Sequence, residues 1–318
     1  MTENYHHISS DQKQIRYLNY NQVLKNEFSE RIQKISINAG FTCPNRDGLK
    51  GYGGCTYCNN QTFSPQYSQP VKTVSQQVKE GIAFFHHKYE AQHYLAYFQS
   101  YTNTYDKIEK LKAIYEEALA HPKVKGIVVG TRPDCVNEEL LEYFAELSKS
   151  VYVMIEYGIE STSDETLRFI NRGHDYISAV EAIKATAAKG LRTGAHLILG
   201  LPSESRELIL EHADKVSQLP LTALKLHQLQ LVRKTVMAKQ YTEHPEWFNL
   251  YSANEYIDLV IDFLERLNPE IAIERFVSQS PKELLIAPDW GLKNFEFTAK
   301  IEKRLEERNT WQGRLFNR

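Results

Sequence analysis

No apolar run in this 318-residue chain approaches the roughly 18–20 residues that a spanning helix needs, which excludes a helical membrane protein. An excess of one charge is missing too. Lys and Arg number 38 against 40 Asp and Glu, so no strong single-sign field directs the chain to a polyanion or an anionic bilayer. The opening segment MTENYHHISSDQKQIRYLNY has no apolar core, so no secretory signal is expected and the expected compartment is cytoplasmic. Its adjacent His6 and His7 are too few for a purification tag. Cysteine is scarce, and four cysteines cannot frame a small disulfide scaffold. Three of them, Cys43, Cys55 and Cys58, nevertheless fall within one short stretch.

No solenoid-length repeat or low-complexity segment is present. Short β-rich runs occur at 34–37, 94–98, 126–129, 151–155, 196–199 and 224–231, separated by stretches of helical period. Val74, Val78, Ile82 and Phe85 share one helix face, as do Ile108, Leu111, Tyr115 and Leu119. Asn137 ahead of Glu138 and Glu139 reads as an N-cap, Ser252 with Glu255 as a capping box, and Ser203 or Ser205 as a further cap. Six β–α alternations predict an α/β fold with a parallel sheet, either an open partial (β/α)6 barrel or a doubly wound sheet. Residues 1–30 are expected as an N-terminal extension, 31–235 as the core and 236–318 as a small C-terminal cap.

The stretch from Gly40 to Asn60 follows the first β run, which places it in a loop at that strand's C-terminal end, where parallel α/β folds build their sites. Glycines at 40, 48, 51, 53 and 54 let its backbone wrap a bulky group. Cys55 and Cys58, two residues apart, can bind one metal centre, with Cys43 reaching back to it. Three readings compete. Structural zinc normally takes four ligands and only three are at hand, the fourth being a histidine or the distant Cys135. Buried thiols or a disulfide are the second. The third is an iron–sulfur cluster on three cysteines, which leaves one iron open for a ligand.

The run GFTCPNRDG followed by GGCTYCNN resembles the cluster loop of radical S-adenosylmethionine (SAM) enzymes, in the expanded spacing of the elongator catalytic subunit. It is most similar to the bacterial YhcC/YtqA-like radical SAM family. TRPDC at 131–135, EYGIEST at 156–162, NRGH at 171–174 and HLILGLPSES at 196–205 extend the likeness across residues 16 to 235. The resemblance implies a TIM-like partial barrel, and a [4Fe-4S] cluster held by Cys43, Cys55 and Cys58. It also implies SAM on the open iron, cleaved reductively to a 5′-deoxyadenosyl radical. Tyr57 then matches the position that lies against the adenine, and Gly200 the strand end that packs beside it. Gln99 and Ser100 stand where the superfamily often has a glycine-rich turn to the SAM amino group, and depart from that pattern. Glu160 matches the ribose contact and Arg172 the carboxylate clamp, with a surface ion pair as the plain alternative and Glu156 as a rival polar contact. Cys135 is a candidate substrate-side thiol, a hydrogen donor or an inert thiol. His86 and His87 are adjacent and lack ligand spacing, while His196 and His227 fall on strands that could open into the barrel mouth.

Nothing in the cofactor motifs chooses a substrate. The resemblance implies tRNA, with conversion of the wobble-uridine 5-carboxymethylaminomethyl group to aminomethyl, and a reducing donor of flavodoxin or ferredoxin type. The anticodon loop is single-stranded, so its base can enter a barrel mouth without opening a duplex. Lys225, Arg233, Lys234, Lys239 and Arg275 surround the sixth unit as candidate phosphate contacts, interleaved with His227, Tyr241 and Phe276. Lys303, Arg304 and Arg308 alternate with glutamates and form no basic arm. About 80 residues follow position 235, too few for an acetyltransferase domain. The alternatives are radical chemistry on a small metabolite or peptide, and a non-catalytic metal-bearing RNA-binding module.

Overall fold

The computed structural model describes residues 16–62, 64–86 and 92–317; His6, His7 and His87 lie outside them. The described chain opens on helix α1 (Tyr20–Phe28). Six strands follow: β1 (Ile32–Ile37), β2 (His93–Phe98), β3 (Val124–Thr131), β4 (Tyr152–Glu160), β5 (Arg192–Leu199) and β6 (Ala223–Gln228). Between successive strands run α2 (Val74–His86), α3 (Ile108–Leu119), α4 (Glu138–Leu147), the pair α5 (Asp164–Phe169) and α6 (Tyr176–Ala188), and α7 (Arg206–Val216). The chain continues through β7 (Leu231–Val232), α8 (Val236–Glu243), α9 (Ala253–Arg266), β8 (Ala272–Arg275), β9 (Leu285–Ala287) and α10 (Asn294–Glu307).

The main sheet runs β1-β2-β3-β4-β5-β6-β8, parallel throughout, with β1 and β8 at opposite edges. This is the open partial barrel, with one strand more than the six expected. The extra strand comes from the segment expected only as a cap; at four residues, β8 is too short to show a period of its own. The last β run also differs from expectation. Pairing stops at Gln228, and Leu231–Val232 leave to form a small antiparallel ribbon with β9.

Period-two alternation sorts the strand side chains onto two faces. Ile35, Phe98, Val129, Ile155, Leu197 and Leu226 face the helices and join the large buried core. The other face lines the barrel interior. Its lower part is apolar, with Leu95, Val128 and Met154 packed against Tyr20 and Leu24 of α1, so the N-terminal helix stoppers the end opposite the site. The Tyr20 and Tyr152 hydroxyls meet there at 2.7 Å. The upper interior is polar. Three caps form as read: Asn137 accepts from the Leu140 amide, Ser205 rather than Ser203 from that of Leu208, and Ser252 and Glu255 make both bonds of the capping box. Each is worth about 1 kcal/mol. Among the described residues no helix is long and apolar enough to cross a membrane.

Candidate active site

The cysteine loop begins where β1 ends and crosses the open mouth of the barrel. A tight turn opens it, the Cys43 carbonyl accepting from the amides of Arg46 (2.8 Å) and Asp47 (3.2 Å). Backbone and amide bonds then fasten it to the segment after β4. The Thr56 amide donates to the Ile170 carbonyl at 3.0 Å, and Asn171 Nδ2 to the Gly54 carbonyl at 2.9 Å. Asn45 Nδ2 returns to the Asn171 carbonyl at 2.5 Å. On the far side Asn59 Nδ2 donates to the Arg233 carbonyl at 3.1 Å.

Cys43, Cys55 and Cys58 line one cavity of about 1250 Å³, measured to its open mouth. Cys55 Sγ lies 3.5 Å from Arg172 Nη1, which donates to it. Burial, then the neighbouring Cys55, push the Cys58 thiol upward, while Arg46 pulls it back. A Cys58 thiolate therefore needs added positive charge, as bound iron would supply. Among the described residues no three His, Cys, Asp or Glu side chains converge closely enough for a single metal ion. Three thiols spread around one cavity, with arginine and amide donors beside them, fit a multi-atom cluster better than one zinc ion.

Glu160 and Arg172 do meet, 3.6 Å apart and both largely shielded from solvent. A register shift near the end of β4 places Glu160 in the left-handed region, φ +70°, a strained conformation for a non-glycine residue. Arg172 also donates from Nη2 to the Gly158 carbonyl at 2.7 Å. A Cβ at Gly158 would sit 2.5 Å from Glu160 Oε1 and 2.6 Å from Arg172 Nη2, so any side chain there would displace the tips of both. The Arg172 Nε is buried without a partner. Its backbone is held by Arg132, which donates to the Arg172 carbonyl at 2.8 Å and is itself forked onto Asp134 at 2.9 Å.

Tyr57 lines the same cavity, as does Gln99. Ser100 is buried behind it, 3.5 Å from the Ser64 hydroxyl. Gly200 turns with φ +87° against Tyr251, and Ile198, two residues earlier, lines the cavity instead. Cys135 lies away from it, in an outer depression with Thr104 and Asp106. Burial and Asp134 push its thiol up to about 12.

The interior beneath holds a charge network that was not read from the sequence. Lys225 Nζ lies 2.7 Å from the Glu156 carboxylate and 3.2 Å from that of Glu274. Lys34 stands 2.6 Å from Glu274 and 3.6 Å from Glu156. His196 Nε2 reaches Glu156 at 2.6 Å, and the Tyr97 hydroxyl donates to the same carboxylate. Burial opposes ionisation of Glu156, but Lys225, His196 and Lys34 outweigh it and hold the carboxyl well below its usual range. Burial, against the pull of Glu156 and Glu274, lowers Lys225 to about 8. Two expectations change accordingly. Lys225 is 2% exposed and cannot be a phosphate contact on the rim, because its strand position points inward. Glu156, the rival polar contact, lines the same cavity, but its carboxylate is engaged by Lys225, Lys34 and His196. The available signal was polar residues at alternate positions of otherwise apolar strands: Lys34, Glu156, Lys225 and His227.

The profile of the radical SAM superfamily matches residues 38–216, and that of the radical SAM C-terminal domain matches 221–307. The chain belongs to the radical SAM superfamily. Membership brings the superfamily's cofactors, a [4Fe-4S] cluster and SAM. Among radical SAM relatives, YtqA of Bacillus subtilis (strain 168) is 36% identical over 98% of this chain and 95% of its own length. YhcC of Escherichia coli (strain K12) is 30% identical over 93% and 94%. A tRNA uridine(34) acetyltransferase of Dehalococcoides mccartyi (strain CBDB1) is 24% identical over 59% of this chain and 39% of its own. The solved archaeal Methanocaldococcus infernus Elp3, deleted at its N-terminus, superposes with a TM-score of 0.68 at 15% identity, covering 88% of this chain and 64% of that one. That likeness is one of fold.

Proposed function

We propose that this radical SAM enzyme modifies tRNA, converting the 5-carboxymethylaminomethyl group of the wobble uridine to aminomethyl, a two-electron oxidation for which SAM would be the oxidant and in which water would release the carboxymethyl carbons as glyoxylate. On this reading Cys43, Cys55 and Cys58 hold the cluster, Tyr57 and Ile198 flank the adenine, Glu160 receives the ribose hydroxyls and Arg172 the SAM carboxylate. Gln99 is a further polar contact at the mouth. When bound and reduced by a donor of flavodoxin or ferredoxin type, the cofactors supply a hydrogen-abstracting 5′-deoxyadenosyl radical. The protein's work is to position reactants and exclude water, with α1 closing one end of the barrel and the loop at 43–60 partly roofing the other.

The observation that carries the substrate reading is the shape and lining of the mouth. A single cavity joins the cysteine loop to a polar interior, and its rim at β7 is basic. Arg233, Lys234 and Lys239 are exposed there, and among the described residues no carboxylate pairs with them. A folded RNA can be held by such a rim while one base enters. The sequence likeness to a tRNA uridine(34) acetyltransferase supports the same substrate class. The test is nucleoside profiling of bulk tRNA from cells with and without the protein. Carboxymethylaminomethyl-uridine should accumulate in its absence with 2-thiolation intact; an unchanged profile rejects tRNA as the substrate.

A further inference from the structure

The polar interior is not electrically balanced. Lys34, Lys225 and Arg275 bring three cations, and among the described residues only Glu156 and Glu274 face them. Lys34 and Lys225 are both in contact with the two carboxylates. Arg275 is not. Its Nη2 lies 2.5 Å from His227 Nε2, its Nε is buried without a partner, and no carboxylate pairs with it among the described residues. Burial first, then Arg275 itself, hold the His227 imidazole well below its usual range, so the ring is neutral and accepts from the guanidinium. At least one unit of positive charge is therefore left over in a shielded site.

The backbone aims this arginine deliberately. Strand β8 shifts register beside Lys225, so that two consecutive residues, Glu274 and Arg275, both turn into the barrel. One serves the lysines; the other lines the cavity shared with the cysteines. Such a bulge re-aims a side chain at the rim of a barrel. An unpaired, partly desolvated guanidinium is costly to hold, and a carboxylate relieves that cost with two charge-assisted hydrogen bonds.

We propose that Arg275, oriented by His227, is the binding site for a carboxylate carried by the substrate. The inference rests on the reading of this cavity as the site of substrate modification, and names the group by which the substrate is chosen: the free carboxylate of its carboxymethylamino arm. It makes Arg275 a specificity-determining residue, rejecting the same nucleoside once that carboxylate is gone.

The test is equilibrium binding to the anaerobic protein carrying its cluster and SAM. The probes are 5-carboxymethylaminomethyl-uridine, 5-aminomethyl-uridine and N-methylglycine. The carboxylate-bearing nucleoside should bind at least tenfold more tightly than the aminomethyl one. Arg275→Gln should erase that preference, and Arg275→Lys should restore part of it. Equal affinities in the wild type, or a preference that survives in Arg275→Gln, would overturn the site while leaving the tRNA reading in place. Binding of N-methylglycine through Arg275 with no binding of either nucleoside would keep the carboxylate site and remove the uridine. Loss of SAM affinity in Arg275→Gln, with the nucleoside preference kept, would assign the guanidinium to SAM and overturn the proposal. No binding of any probe overturns the carboxylate site, while the nucleoside profile of bulk tRNA decides the tRNA reading separately.

Discussion

Replacing Glu156 by Gln keeps the shape of the side chain and removes the charge on which the interior network converges. The carboxylate stands 2.7 Å from Lys225 and 3.6 Å from Lys34. At an effective dielectric near 20, a pair about 4 Å apart interacts by about 4 kcal/mol, so the gross loss over two cations is near 8. Glu274 remains and still neutralises one of them, and the amide keeps a hydrogen-bonding oxygen. Breaking a buried pair by removing one partner costs about 3–5 kcal/mol, and that is the expected loss of unfolding free energy at pH 7. Chemical denaturation of the anaerobic, cluster-loaded protein measures it; the companion fall in Tm should be about 4–8 °C. Adding Lys225→Met removes the cation left behind and should return about 2 kcal/mol of the loss. The pH dependence has a definite sign. Lys225 has a folded value of about 8, below its unfolded 10.5, so the unfolded chain binds more protons between them and stability rises with pH across that window. Glu156→Gln depresses the folded value further, extending the window downward, so the gap to wild type should narrow as pH rises from 6 to 8. A loss below 1 kcal/mol at pH 7, or no rescue by Lys225→Met, would refute the coupling of Glu156 to Lys34 and Lys225.

The remaining predictions concern the mouth of the barrel. Cys43→Ala, Cys55→Ala and Cys58→Ala should each lose iron on anaerobic purification, whereas Cys135→Ala, whose thiol lies in the outer depression, should keep it; full iron in Cys55→Ala removes the ligand assignment. Arg172→Ala should weaken SAM binding by about 2–4 kcal/mol through loss of a buried, charge-assisted contact, with Arg172→Lys intermediate; unchanged affinity by calorimetry places the SAM carboxylate elsewhere. Arg233→Glu with Lys234→Glu should slow turnover on tRNA, the gap to wild type narrowing with added salt because fewer phosphate contacts are left to screen, while SAM cleavage without tRNA stays the same. Equal tRNA turnover in that double variant excludes the β7 rim as the phosphate contact.

Much of this protein is local, and local features are legible in a chain. The cysteine spacing lies within one loop, the helix caps depend on residues three apart, and the β–α alternation is written in hydrophobic period, so the sequence alone determined the parallel α/β fold, the cysteine loop and the segment from the end of β4 that carries Glu160 and Arg172. Tertiary structure decided whatever depends on which strand neighbours which. Lys225 reads in sequence as one more surface cation, and becomes a buried partner of Glu156 and Glu274 only because β4, β6 and β8 curl around one interior. Strand β8 escaped notice because four residues hold too little period to outweigh the helices on either side. Its register shift, which turns both Glu274 and Arg275 inward, follows from pairing with β6. Charge balance inside a barrel is a sum over strands far apart in sequence, and only the closed-up sheet brings those charges within the few ångströms at which they act.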